Sequence, residues 1–125
     1  MQIPKGVKKY EGVGDNAKGS KQLARRLDVP TVLLSQLSRE TEKRPGHRPQ
    51  MSDLRDSGEI EEAADVVALL HREDYHRLNA DPTAELDHVA EVIIGKNRHG
   101  PTGVVELRFM GGAFSNTEAY AGGLA

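Results

Sequence analysis

Three short apolar runs limit what this chain can fold into: Val29-Pro30-Thr31-Val32-Leu33-Leu34, Asp65-Val66-Val67-Ala68-Leu69-Leu70, and residues 89–94. Runs this short and this rich in β-branched residues predict strands rather than helices. The first two lack the alternation of a half-buried strand, so they are expected to be covered on both faces, as in a parallel sheet. The segment 104–109 differs, because Val105, Leu107 and Phe109 alternate with Glu106 and Arg108, and one of its faces is expected to be wet. The turn residues Gly100-Pro101-Thr102-Gly103 join it to the run before it as a hairpin. The expected class is α/β, with a mostly parallel sheet and a C-terminal antiparallel hairpin.

Helical signals lie between the strands. Leu23, Ala24 and Leu27 share one face of a helix over 21–27 that Asp28 ends. Ser57 is placed to cap a helix over 58–64, and Glu59, Glu61 and Glu62 suit its N-terminal half. Residues 71–88 are charged and contain Asp81-Pro82, the mark of a surface excursion. The segment 38–57 is a polar loop of roughly 20 residues holding Arg39, Lys43, Arg44, Arg48 and Arg55; loops this long inside a domain are usually functional. The expected organisation is a flexible segment at 1–20, a domain at 21–110, and a disordered Gly/Ala-rich tail at 111–125.

Composition narrows the function. With 125 residues the chain has the length of one domain. Its 17 Lys and Arg against 19 Asp and Glu exclude a generically basic nucleic-acid coat, so any contact with DNA rests on a few placed residues. The absence of Cys excludes disulfide scaffolds, thiolate zinc sites and thiol nucleophiles. No apolar stretch approaches the roughly 20 residues of a membrane span, and the start has no signal-peptide core. A cytoplasmic location, associated with the nucleoid and with no membrane partner, is expected.

Two glycine patterns fail on context. Gly12-Val13-Gly14-Asp15-Asn16-Ala17 fits a dinucleotide fingerprint, but the preceding residues are too polar for a buried strand. Gly14 and Gly19 have phosphate-loop spacing, yet Ser20-Lys21 reverses the order that puts the Lys on phosphate and the hydroxyl on Mg²⁺. The five histidines (His47, His71, His76, His88, His99) show no metal-ligand spacing, so no metal site is expected. Three stretches remain, at strand ends where α/β proteins place their chemistry. Gln36, after the first run, offers a donor and an acceptor for orienting a phosphate or a water. The stretch 51–58 joins the Arg55 cation, small hydroxyls and a helix start into an anion cradle. Lys96 and Arg98 alternate at the end of a strand and so point to one side of it.

The strings VPTVLLSQLSRE, RPQMSDLRDSGEIEEAADVVALLHR and IIGKNRHGPTG, together with KQLARRLDVP, resemble in order and spacing the C-terminal half of the RecA-like motor domain of DnaB-type bacterial replicative helicases. The resemblance covers about residues 12–110 and implies a partial RecA-like fold. It implies that Gln36 senses the γ-phosphate, and that Arg55, Asp56 and Gly58 belong to the loop holding the single-strand backbone. Lys96 and Arg98 match the pair that reaches the neighbouring subunit's nucleotide as a trans-acting finger. The implied cofactors are ATP and Mg²⁺, with the Mg²⁺ ligands outside this chain. The implied partners are single-stranded DNA, the other subunits of a homohexamer, a primase and a loader. The implied activity is ATP-dependent 5′→3′ translocation and unwinding in DNA replication. Residues 1–11 supply neither a Walker A loop nor the catalytic Glu, and the Gly111-Gly112-Ala113-Phe114-Ser115 stretch departs from the family's usual ending. The 125 residues alone are therefore expected to be inactive. The alternative is a non-enzymatic truncated paralogue that docks on a full-length helicase and modulates it.

Overall fold

The computed structural model describes residues 9–54 and 58–117. Helix α1 spans Lys9–Leu27 and packs against α3, Gly58–Ala63, where Ala17 and Ile60 are both buried. Residues 9–20, expected to be flexible, are therefore helical. Gly12, Gly14 and Gly19 lower the intrinsic propensity of this segment, so tertiary packing is what sustains it. Both glycine patterns lie inside the continuous helix and form no phosphate-cradling loop. The helix ends as the sequence indicates. Asp28 takes a left-handed φ of 54°, its N–H bonds Arg25 O at 3.4 Å, and the Val29 N–H bonds Ala24 O at 3.1 Å. That is a Schellman closure with Asp in the usual glycine position.

The run 29–34 corrects the sequence reading. It forms no strand, and Val32 and Leu34 are 87% and 92% exposed. A strand needs a neighbour for its N–H and C=O groups, and among the described residues none lies beside this run. The polar segment after it is ordered by short elements: helix α2 at Glu40–Lys43 and a 3₁₀ turn at Met51–Asp53.

The sheet holds β1 (Val66–His71), β2 (Val89–Asn97), β3 (Gly103–Met110) and β4 (Ala113–Asn116) in the order β1-β2-β3-β4. Helix α4, Glu73–Ala80, lies within the excursion between β1 and β2. The α/β class and the β2–β3 hairpin stand as read. The mostly parallel sheet does not appear among the described residues, since every pairing is antiparallel. Gly111 and Gly112, at φ 58° and 79°, make the two-residue turn into β4. Positive φ at both central positions is what a tight hairpin turn requires. Residues 113–116, read as part of a disordered tail, are therefore a strand, held by a Phe109–Phe114 cross-strand pair with ring centroids 4.8 Å apart.

Strand β1 is covered on one face only. Val67, Leu69 and His71 are buried, while Val66 and Leu70 are 54% and 53% exposed. The covered face builds a small core of Leu54, Val67 and Leu69, with Leu37, Met51, Ala64 and Ile93 packed around it. Exposed apolar surface on β1 and on 29–34 favours association between copies of the chain. Replacing Val32 and Leu34 together by Lys is expected to leave the urea midpoint within about 0.5 kcal/mol of the parent, as for exposed positions generally. It is also expected to shift sedimentation velocity towards monomer; an unchanged association state would remove 29–34 from the contact.

Candidate functional site

The two cations of β2 are aimed by a β-bulge. Val67 pairs with Lys96 and Ala68 with Ile94, which leaves Gly95 as the extra residue. Residues directly opposite in an antiparallel pair share a face. Leu69 pairs with Ile93, so Ile93 and Lys96 lie on the same covered side although they are three residues apart. Without the bulge, Lys96 would point to the other face. Gly95 is needed here for space: a Cβ on it would stand 2.5 Å from Met51 Sδ and 2.8 Å from its Cγ.

Both cations then reach the C-terminal end of α3. Lys96 Nζ donates to Glu61 O. Arg98 donates through one Nη to Glu62 O at 2.9 Å and through the other to Asp65 Oδ1 at 2.8 Å, while its backbone N–H meets Asp65 O at 2.8 Å. The last carbonyls of a helix have no partner within it and carry its negative end, which suits two cations. Asp65 also accepts from Lys21 of α1 at 2.5 Å. Lys21 first, and then Arg98, hold its carboxyl below the ordinary Asp value. The expectation that Lys96 and Arg98 face one way is met, and the surface they face is the end of α3.

The other sequence candidates sit at the opposite end of α3. Leu37 forms an isolated antiparallel bridge with Leu54, and the Ser38 N–H donates to Asp53 O at 2.7 Å. Gln36, on the coil, thus adjoins one strand of this bridge, and Arg55 follows the other in sequence. Arg55 and Asp56 lie outside the described residues. Gly58 opens α3, with nothing within 4 Å of where a side chain would begin. The base of this loop is tied by Arg44, whose fork meets buried Asp53 at 2.8 and 2.9 Å and also Arg48 O at 2.7 Å. The Gln50 N–H adds a bond to Asp53 Oδ2 at 2.7 Å. These donors, Arg44 foremost, bring the Asp53 carboxyl down to about 2 against the opposing effect of burial.

Three histidines that look scattered in sequence meet in space. The rings of His47 and His76 stack with centroids 4.4 Å apart, and His71 lies 5.8 Å from His76 on a near-parallel plane. Burial first, then the charges of His47 and His71, push the His76 pKa down. The rings meet face to face, and among the described residues no group of three His, Asp or Glu could hold a metal. A cleft of about 440 Å³ nearby is lined by Arg48, His71, Glu73 and Glu91 among others. Arg48 and Glu91 are themselves paired.

Sequence reasoning found both cations but missed Asp65, Gly95, Met51 and Arg44 as the groups that position them and the loop. The partners of Asp65 lie 33 and 44 residues away in the chain, a pairing that no local spacing encodes.

Solved structures place this architecture. A helicase-family ATPase domain and a DnaB-like replicative helicase described with its primase interactions each superpose with a TM-score of 0.82 at 39% identity over 94% of this chain. They are covered over 41% and 28% of their own lengths. The fold is that of a RecA-type helicase domain. The chain belongs to the DnaB-like helicase C-terminal domain family, whose model matches residues 1–116. It is 47% identical over 102 residues to the replicative DNA helicase DnaB of Geobacillus stearothermophilus and 45% identical over 102 residues to the replicative DNA helicase DnaC of Bacillus subtilis. In each case the match covers 82% of this chain and spans 22% of the relative's length. No helix among the described residues is long and apolar enough to cross a membrane.

Asp53→Ala is expected to cost about 3 kcal/mol in urea unfolding, the lower end of what removing one partner from a buried pair costs. Because the folded pKa of Asp53 lies below its unfolded value of 3.8, its contribution is full above that value and lost as pH falls towards 2. An acid titration of stability from pH 4 to 2 should be flatter in the Asp53→Ala chain than in the parent.

Proposed function

We propose that this chain supplies the phosphate sensor, the DNA grip and the trans-acting finger of an ATP-dependent replicative helicase, which moves 5′→3′ on single-stranded DNA as a homohexamer. Family membership supports the helicase role in DNA replication. The observation that carries the finer reading is α3 itself. One end continues from the segment holding Arg55 and Asp56, and the other end meets both Lys96 and Arg98.

Each residue type suits its part. Gln36 presents an amide that can report on a γ-phosphate, and the Leu37–Leu54 bridge connects its segment to the base of the DNA loop. Arg55 offers a donor fork to a phosphate, and open space at Gly58 lets backbone approach the strand. Arg98, with Lys96, reaches a nucleotide held by a neighbouring subunit and stabilises charge developing on the transferred phosphoryl group. ATP and Mg²⁺ supply the reacting phosphate and its counter-charge, and the groups that ligate Mg²⁺ lie outside these 125 residues. On that basis the chain alone does not turn over ATP. A relative described with its primase interactions makes a primase a natural partner, and a loader would act on the same hexamer.

Mixing the chain with an intact DnaB-like helicase tests this reading. Incorporation is expected to change the DNA-stimulated ATPase rate, and Arg98→Ala should abolish the change. Within an intact subunit the same loss is expected to reach on the order of 10³-fold, as for other trans-acting fingers. A mixed assembly that responds identically to parent and Arg98→Ala chains would reject the finger. Arg55→Ala is expected to weaken single-strand binding for all sequences alike and to lower the slope of log affinity against log salt by about 0.7, one phosphate contact. An unchanged slope would take Arg55 off the backbone.

A further inference from the structure

Lys96 and Arg98 are occupied within their own chain. To reach a phosphate on another subunit, Arg98 must leave Asp65 Oδ1 and Glu62 O, and Lys96 must leave Glu61 O. The carbonyls are fixed parts of α3, whereas Asp65 is a full charge set just beyond the helix and half exposed. The geometry points to Asp65 as a positioning residue: it latches the Arg98 fork against the end of α3 and competes with phosphate for it. This inference rests on the finger reading of Arg98 given above.

Lys21 makes the competition three-way. Its ammonium and the Arg98 guanidinium donate to the same oxygen, Asp65 Oδ1, at 2.5 and 2.8 Å. Whatever draws Lys21 closer weakens the hold on Arg98, so α1 tunes the latch from outside the sheet. Helix α3 brings in the DNA loop, because a shift of the loop ahead of Gly58 moves the carbonyls and Asp65 at the other end as one short rigid piece. The apparent phosphate affinity of the finger is its intrinsic affinity reduced by the fraction of time Arg98 is unlatched. Removing the latch therefore tightens phosphate binding, and strengthening it weakens binding. A residue that only supports the fold would weaken binding in both cases.

The test uses the full chain and inorganic triphosphate as the probe, titrated by calorimetry at low salt. Asp65→Asn keeps the shape and removes the charge, and it is expected to tighten triphosphate binding about fivefold, the size of one exposed ion pair. Lys21→Met leaves Asp65 wholly to Arg98 and is expected to weaken binding about twofold. Asp65→Glu should stay near the parent, and all three differences should vanish in an Arg98→Ala background. Asp65→Asn binding no tighter than the parent, or Lys21→Met binding more tightly, would overturn the latch while leaving the finger in place. If Arg98→Ala in the parent chain does not weaken triphosphate binding, the finger reading fails and the latch fails with it. Lys21 lies on α1, so its variant carries the test even if Asp65→Asn does not fold.

Discussion

The bulge at Gly95 sets the orientation on which the candidate site depends. A single extra residue in β2 moves Lys96 from the open face of the sheet to the covered one and brings Arg98 round to the end of α3. The bulge is filled by Met51, whose side chain lies where any Cβ at position 95 would project. Met51 belongs to the 3₁₀ turn at the base of the DNA loop. One packing contact thus connects the strand that carries the two cations to the loop that precedes α3. Bulges are used in this way to redirect side chains near functional sites.

A second constraint comes from what the sheet leaves uncovered. Antiparallel pairing completes β2 and gives β1 one partner, yet the outer face of β1 and the run 29–34 carry apolar side chains into solvent. Buried polar order partly offsets this. The Arg44–Asp53 fork, with the Gln50 N–H, fixes the segment between the two regions without calling on the small apolar core. This division of labour is a consequence of a core built on only three well-buried apolar side chains.

Much of the element order was legible from local pattern. The hairpin of β2 and β3, the helix opening at Gly58, the β1 run and the end of α1 at Asp28 all followed from β-branched runs, turn residues and helix-end chemistry. The N-terminal half of α1 was not legible, because three glycines argue against a helix that only its packing on α3 sustains. Strand β4 was missed for a related reason: Gly111-Gly112 reads as an unstructured tail until Phe114 is seen opposite Phe109. The run 29–34 went the other way. Its β-propensity was read correctly, but propensity cannot supply the neighbour that a strand requires.

At the candidate site the same boundary applies. The sequence by itself determined which chemical groups are present and in what order, and through its quoted strings it determined the family. Alternation along a strand was enough to put Lys96 and Arg98 on one side. Only the tertiary structure decided which side, because that depends on a bulge created by Met51 pressing on Gly95. It alone decided that Asp65 receives Lys21 and Arg98 together, and that His47, His71 and His76 stack. These are contacts between residues far apart in the chain, and nothing in local spacing constrains them until packing has fixed the register.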